Sequence, residues 1–451
     1  MSDKKFSLKV YKKINPFNKI IHVDSDKSIS IRSFLIGSIS QNISIIENAL
    51  NSEDVESCII CLKTLGVKIK KKNQKYFVYG KGLGSLSANK NIVIDCGNSG
   101  TVSRLLVGIL STTPNIKIKI TGDNSLKKRN MSKLISIMND FGASFYPKNK
   151  KKFPFTLVSS EMPIGINYRS GVSAQLKSAA ILAGLNACGT TNIIEEEESR
   201  NHTENMLLKN SNVINIKNNK KKQKIIKVKG KVQMHPLKIK VNGDPSSAAF
   251  FTALTILNSN SFLKIKKVGL NPRRIGFYNL LKRHGAKINF KNKKIINNEV
   301  VGDIIVKSSS LKPIKANKNF YTSATDEYPI LFVIAALTPG ISTFKGIGDL
   351  ANKESNRILE MKKILNQIGV KCHSKKNEMK IFGLRKIKKD KIKIKVPSLG
   401  DHRICMSTVI LSLVSGAESY IKNFETVRTS SPSFLKIIKT LGGKFEIKKT
   451  S

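Results

Sequence analysis

The sequence predicts a repeated α/β protein, and three observations carry that prediction. First, five segments end alike: LKTLGVKI (62–69), MNDFGASF (138–145), LKRHGAKI (281–288), LNQIGVKC (365–372) and IKTLGGKF (438–445). In each, an amphipathic run stops at a glycine (Gly66, Gly142, Gly285, Gly369, Gly442). Glycine takes the left-handed turn that closes a helix, and an alternating, strand-like stretch follows it. Second, MLLKNSNVINI (206–216) makes a sixth copy with Ser211 at the glycine position. The intervals then run from 69 to 84 residues and fill the chain of 451. Third, the units carry an earlier helix that is apolar on nearly every face: VSRLLVGIL (102–110), AQLKSAAILAGL (174–185), SAAFFTALTIL (247–257), YPILFVIAAL (328–337) and ICMSTVILSLV (404–414). Such helices belong inside a fold. Each unit is strands plus one buried and one outer helix, and units of this kind must associate to bury their apolar faces.

Composition agrees. With 40% apolar and 24% charged residues the chain can build a core, and its length suggests two to four domains at roughly 100–200 residues each. No apolar run approaches the ~18 residues of a membrane span. The N-terminal MSDKKFSLKVYKKINPF lacks the apolar block of a secretory signal, so a cytoplasmic protein without a membrane partner is expected. Of six cysteines only Cys58 and Cys61 are closely spaced, and no second pair follows. A structural zinc needs four ligands; the expectation is no metal and buried free thiols in a reducing cytosol.

The net charge of +50 suggests a nucleic-acid partner, but the residues behind it do not. There are 68 lysines and 12 arginines, and the lysines lie scattered among Asn and Ile, as in 214–231. That pattern fits codon drift in an A- and T-rich genome. Nucleic-acid surfaces favour arginine with interleaved aromatics, and this chain has no Trp. Segment 214–240 reads as a solvated hairpin, followed by a crossover near 241–244.

Where arginine is scarce, its positions are informative, because only its fork binds carboxylate or phosphate bidentately. Arg32, Arg104, Arg129, Arg200, Arg357 and Arg403 fall in short polar segments. DSDKSISIR (24–32) reads as a loop entering a helix, with Ser28 or Ser30 as cap, Lys27 at the positive end and Arg32 one turn on from Ser28. DCGNSGTVSRLL (95–106) is a turn in which Gly97 and Gly100 let backbone N–H groups approach a ligand. GDNSLKKR (122–129) sets Arg129 at a turn-to-helix start. RSGVSAQLKSA (169–179) offers Ser173 and Gln175 before a buried helix, and EEEESRNHTE (195–204) groups Ser199, Arg200 and His202. SATDEYPILF (323–332) places Asp326 and Glu327 at the mouth of an apolar helix, where acids often serve only as caps. ANKESNRI (351–358) spaces Lys353 and Arg357 for one helix face with Glu354 beside them, and LGDHRI (399–404) pairs His402 with Arg403. Cations at helix starts with few acids suit two polyanionic substrates and one or two proton-transferring carboxylates. No P-loop, GxGxxG, HExxH or GxSxG motif is present, which argues against ordinary nucleotide, metal or serine-nucleophile chemistry.

Taken together, DKSISIR, NSGTVSRLL, GDNSLKKR, SAQLKSAAILAGL, ESRNHTE, GDPSSAAF, ATDEYP, KESNRI and GDHR, in this order over 24–404, resemble the EPSP synthase family of enolpyruvyl transferases. The resemblance implies a two-domain inside-out α/β barrel, each domain three βαβαββ repeats. The domains would be 24–241, and 1–23 plus 242–451, with hinge strands near 22–25 and 241–245 and a cleft that closes on the substrates. It implies transfer of the enolpyruvyl group of phosphoenolpyruvate to the 5-hydroxyl of shikimate-3-phosphate, without a cofactor, by a monomer.

Carried over residue by residue, Lys27, Ser28, Arg32, Ser173, Gln175, Ser199, Arg200, Asp326 and Lys353 would bind shikimate-3-phosphate. Lys27, Asn98, Gly100, Arg129, Gln175, Arg357 and Arg403 would hold phosphoenolpyruvate. Lys27, Asp326 and Glu354 would be catalytic, Asp326 taking the hydroxyl proton and Glu354 protonating the vinyl carbon. Arg104 would be a structural partner of its loop, and His402 either a ligand contact or a loop-orienting donor. The chain departs from the family at Asn130, Asn356, His202 and the Ser-Ser-Pro of 430–432. Gly100 in place of alanine implies sensitivity to glyphosate. A UDP-N-acetylglucosamine enolpyruvyl transferase is the nearest rival. It would need a cysteine in a first-domain loop, and none lies between 97 and 187.

Overall fold

Each repeat builds one four-stranded sheet. The computed structural model describes residues 5–89, 92–208, 210, 212–218, 223–384 and 392–449. Among these, six sheets share one strand order. Each has a parallel pair with a third strand antiparallel to it. In the third module Asn167–Ser170 runs parallel to Thr190–Glu195, Lys224–Lys229 lies antiparallel to that, and Ile214–Asn218 closes the sheet. The order within a module is strand, inner helix, strand, outer helix and hairpin, the expected βαβαββ.

The inner helices are Lys27–Ile39, Gly100–Ser111, Ala174–Gly184, Pro245–Leu257, Tyr328–Ala336 and His402–Ser415. Pro245–Leu257 is buried from Pro245 to Ile256, and His402–Ser415 from His402 to Val414. An amphipathic stripe is therefore unnecessary, as their all-round apolar sequences imply. Ring packing adds specificity: Phe251 and Phe434 lie 5.5 Å apart, a contact that aromatic pairs favour beyond area burial. The five terminator glycines all hold left-handed backbone, with φ of 81°, 91°, 103°, 78° and 93° in chain order. The Ser211 position of the sixth copy lies outside the described residues.

Two lobes divide the modules. One comprises Ser25–Asn242 and Ile295–Glu299; the other comprises Met1–Asp24, Gly243–Lys294 and Val300–Ser451. Each lobe is completed by strands distant in sequence. Phe6–Val10 lies between Glu418–Ile421 and Phe445–Lys449. Asn18–Ile21 opens the fourth module against Phe262–Gly269, and Lys238–Lys240 opens the first against Ile43–Glu47. At the expected hinge segments, 22–25 and 241–245, the pairing is short: Asp26 N–H donates to Asn242 O and Asp244 N–H to Asp24 O, both at 2.8 Å. Asp26 and Asp244 cap inner helices, so the backbone turns into a helix there instead of extending a ladder. The lysine-rich segment does form a hairpin, with Ile214 opposite Val228.

Candidate functional site

In the lobe of Ser25–Asn242, three inner helices begin beside cationic side chains. Asp26, not Ser28 or Ser30, caps Lys27–Ile39, accepting from the Ile29 N–H at 2.8 Å. A carboxylate suits that position because it meets both the free N–H groups and the helix dipole. Ser30 turns inward instead and donates to Asp26 O at 2.8 Å. Lys27 Nζ lies 3.1 Å from Asp54 Oδ2. Arg32 is buried and donates to Ser28 Oγ at 2.7 Å, Thr203 Oγ1 at 2.9 Å and Ser178 Oγ at 3.1 Å.

A second group surrounds Gly100, the first residue of its helix, which Ser99 caps. Arg104 donates to Gly100 O at 3.1 Å and Gln175 Oε1 at 3.0 Å, and Gln175 donates to Thr101 Oγ1 at 3.0 Å. A Cβ on Gly100 would sit 2.5 Å from Arg129 Nη1 and 2.6 Å from Arg104 Nη1, so this glycine leaves room for two guanidinium groups. Asn98 donates to Asp123 Oδ2 at 2.6 Å and accepts from Arg129 Nη2 at 3.3 Å. Arg129 follows the short helix Asn124–Lys128 as its C-cap rather than opening a helix, because Asp123 takes the capping position first. Ser173 caps Ala174–Gly184, accepting from Leu176 N–H at 3.4 Å. Ser199 is buried and donates its N–H to Glu195 Oε1 at 3.1 Å. Arg200 is half-buried in the same segment, and His202 Nδ1 lies 2.8 Å from Glu299 Oε1.

The other lobe gathers the remaining candidates around Arg357. This side chain is 1% exposed. It donates to Asp401 through Nε at 2.9 Å and Nη2 at 3.3 Å, and to Glu354 Oε2 at 2.6 Å. Asp326 Oδ1 lies 3.7 Å from Nη1. Burial opposes the Arg357 charge, yet Asp401, Glu354 and Asp326 outweigh it, and the guanidinium pKa is raised above its ordinary value.

Lys353 and Arg357 do not share a helix face. Lys353 ends the 3-10 turn Gly348–Asn352, while Arg357 opens Arg357–Gln367 behind its cap Asn356. Lys353 Nζ instead meets Asp349 Oδ2 at 2.6 Å, the oxygen that also accepts from Tyr321 at 2.8 Å. Glu327 stands at the start of Tyr328–Ala336 without a side-chain cap bond. Ser246 donates to it, and Arg274 Nη2 donates to Ser246 at 2.9 Å and to Asp244 Oδ1 at 3.0 Å. Its role is that of a buried network member.

His402 is buried with Nδ1 3.4 Å from Thr429 Oγ1. Arg403 is 4% exposed, its guanidinium 5.9 Å from the Phe250 ring. Its Nε and Nη1 make no hydrogen bond among the described residues. A buried guanidinium held this way is costly without an anion. Of the cysteines, Cys188 is exposed because it follows a helix end, contrary to the buried expectation; the other five are buried. No metal-ligating cluster occurs among the described residues, and no helix there is long and apolar enough to cross a membrane.

Sequence reading missed Asp54, Asp349 and Asp401, which pair with Lys27, Lys353 and Arg357, Asp123, which holds Asn98, and the buried pair Lys177 and Glu195. Asp401 was legible as an aspartate directly before a helix start, and Lys177 as a lone charge inside an apolar run.

Arginines and lysines at helix starts, three carboxylates beside one arginine, and six βαβαββ modules define an enzyme of the enolpyruvyl transferase class. The chain belongs to the EPSP synthase (3-phosphoshikimate 1-carboxyvinyltransferase) family, whose model matches residues 11–438. The 3-phosphoshikimate 1-carboxyvinyltransferase of Zymomonas mobilis is 36% identical over 97% of both chains, and that of Caldicellulosiruptor saccharolyticus 40% over 93% of this chain and 95% of its own. The EPSP synthase of Acinetobacter baumannii superposes with a TM-score of 0.83 at 32% identity, covering 98% of this chain and all of the other. The enolpyruvyl transferase NikO from Streptomyces tendae shares the fold at TM-score 0.78 and 12% identity, over 99% of this chain and all of its own. The sheets are separate four-stranded units rather than one closed barrel.

Proposed function

We propose that the chain joins phosphoenolpyruvate to shikimate-3-phosphate, releasing phosphate and forming 5-enolpyruvylshikimate-3-phosphate. One observation supports this most: Arg403, buried with two unbonded guanidinium nitrogens in a member of this family. Such a group has an unmet need for an anion.

In this reading Arg403, Arg129, Arg357, Asn98, Gly100 and Gln175 hold phosphoenolpyruvate. Ser28, Arg32, Ser173, Gln175, Ser199 and Arg200 hold shikimate-3-phosphate, with Lys27, Lys353 and Asp326. Glu354 gives its proton to the vinyl CH2 carbon while the 5-hydroxyl oxygen attacks the neighbouring carbon and Asp326 takes the hydroxyl proton. The tetrahedral adduct then breaks its C–O bond to phosphate, which takes up the proton held by Asp326, and the methyl carbon returns a proton to Glu354, restoring the vinyl group. Lys27 and Lys353 offset the negative charge that shifts during addition. Holding both partners in reacting geometry removes roughly 7–11 kcal/mol from the barrier. The proximity of Asp326 and Glu354 to Arg357 supports their being oriented together. Monomeric, cytoplasmic enzyme is the accompanying reading.

Phosphorus NMR of the protein with both substrates tests this. The expected result is inorganic phosphate appearing in step with one new phosphorylated product. An unchanged spectrum, or phosphate from phosphoenolpyruvate alone, contradicts it.

A further inference from the structure

Lys177 is the fourth residue of the inner helix Ala174–Gly184 and is 0% exposed. Its Nζ lies 2.5 Å from Glu195 Oε1 and 2.7 Å from Glu204 Oε1, and both acids are buried. Three charges from three elements are thus enclosed: the helix, the end of strand Thr190–Glu195, and helix His202–Leu207. Burial of ions costs several kcal/mol each unless their geometry is good, and an apolar residue at 177 would fill the helix position without that cost. Glu204 Oε2 makes no hydrogen bond among the described residues, so the cluster is not there to satisfy every atom. What it does satisfy is one loop. The oxygen of Glu195 that meets Lys177 also accepts from Ser199 N–H at 3.1 Å and Ser199 Oγ at 3.4 Å.

The loop between strand and helix, 196–201, is tied at its ends by the backbone, Glu196 N–H donating to Ser170 O at 3.2 Å and Asn205 N–H to Asn201 O at 2.9 Å, and between them Ser199 bonds Glu195. Its far end is held by a parallel set of bonds. Thr203 Oγ1 donates to Ser178 Oγ at 2.8 Å and accepts from Arg32 at 2.9 Å. Residues 177 and 178 therefore anchor both ends of the segment that carries Ser199 and Arg200.

We propose that Lys177 is a positioning residue: through Glu195 it fixes Ser199, and with it Arg200, for the phosphorylated hydroxy-acid substrate, without touching that substrate. This rests on the reading that Ser199 and Arg200 bind shikimate-3-phosphate. Steady-state kinetics of Lys177→Met, Ser199→Ala and the double variant test it, provided the wild type turns over both substrates. A wild type without turnover overturns that reading first.

With an active wild type, Lys177→Met is expected to raise KM for shikimate-3-phosphate about tenfold, a change of roughly 1.4 kcal/mol. KM for phosphoenolpyruvate and kcat should stay within about twofold. The double variant should resemble the worse single one, because one residue acts through the other. Equal rises in both KM values, or additive effects in the double variant, would overturn the proposal. Should Lys177→Met not fold, Glu195→Gln carries the same test: it keeps an acceptor for Ser199 and should show the same selective KM rise at smaller size, and an unselective change there overturns the proposal.

Discussion

Arg357 and Arg403 are both buried at inner- or outer-helix starts in the same lobe, yet they are held in opposite ways. Arg357 is enclosed by Asp401 and Glu354 with Asp326 nearby. Arg403 leans on an aromatic ring, and two of its nitrogens make no hydrogen bond among the described residues. The first is part of the architecture as well as of the candidate site: its charge is balanced before any ligand arrives. In the proposed reading the second meets its partner in a substrate anion. Burial alone therefore does not distinguish a structural cation from a binding one; the carboxylates around it do.

The comparison breaks most clearly under alanine. Arg357→Ala strands Asp401 and Glu354 in a buried place, and the expected loss is about 3–5 kcal/mol of unfolding free energy, read by urea denaturation. Arg403→Ala strands nothing, so its denaturation midpoint should stay or rise. Its turnover should fall about 10²–10³-fold, as when a donor to developing charge is removed. Equal destabilisation by both variants would erase the distinction. The Arg357 charge itself should not titrate in ordinary assays. Its pKa is raised, so its contribution is fully present throughout the ordinary assay range and is lost only at pH above the usual arginine value.

A smaller effect should follow at Gly100. An added methyl group meets the ends of two flexible side chains, Arg104 and Arg129, which can move. Gly100→Ala should therefore leave stability unchanged, lower kcat/KM for phosphoenolpyruvate by about tenfold or roughly 1.4 kcal/mol, and raise the glyphosate inhibition constant. An unchanged inhibition constant contradicts this. Thiol labelling sharpens the picture of the cores. Cys188 should react within minutes, whereas Cys58, Cys96, Cys372 and Cys405 should wait for unfolding. Burial raises Cys58, Cys405 and Cys372, the last to about 11, and a hydrogen bond with Cys61 followed by burial raises Cys96; the thiolate is the reactive form. The smallest effect belongs to the exposed lysines of the third module's hairpin. Lys227→Gln with Lys229→Gln should leave turnover within about twofold at fixed salt, since screening limits such distant charges to roughly 8–10 Å.

Much of this was readable in the chain. The terminator glycines and all-apolar helices gave the modules, because each reports a local constraint: a backbone angle or a surface with no polar face. Arg32, Arg129, Arg357 and Arg403 stood out because arginine is scarce. What stayed hidden depends on pairing across distance. No local pattern singles out Gly230 or Gly383, yet a Cβ on either would come within 1.8 Å of a backbone carbonyl, Ala187 O or Thr338 O. Nor does any local pattern say that Phe6–Val10 completes a sheet with Glu418–Ile421, or that Glu195 waits for Lys177.

The most direct test is continuous phosphate release with each substrate omitted in turn, for the wild type and for Arg403→Ala. The account predicts release only when phosphoenolpyruvate and shikimate-3-phosphate are both present, and at least a hundredfold less from Arg403→Ala at unchanged stability. Release that needs only one substrate, or an Arg403→Ala enzyme as fast as the wild type, would contradict it.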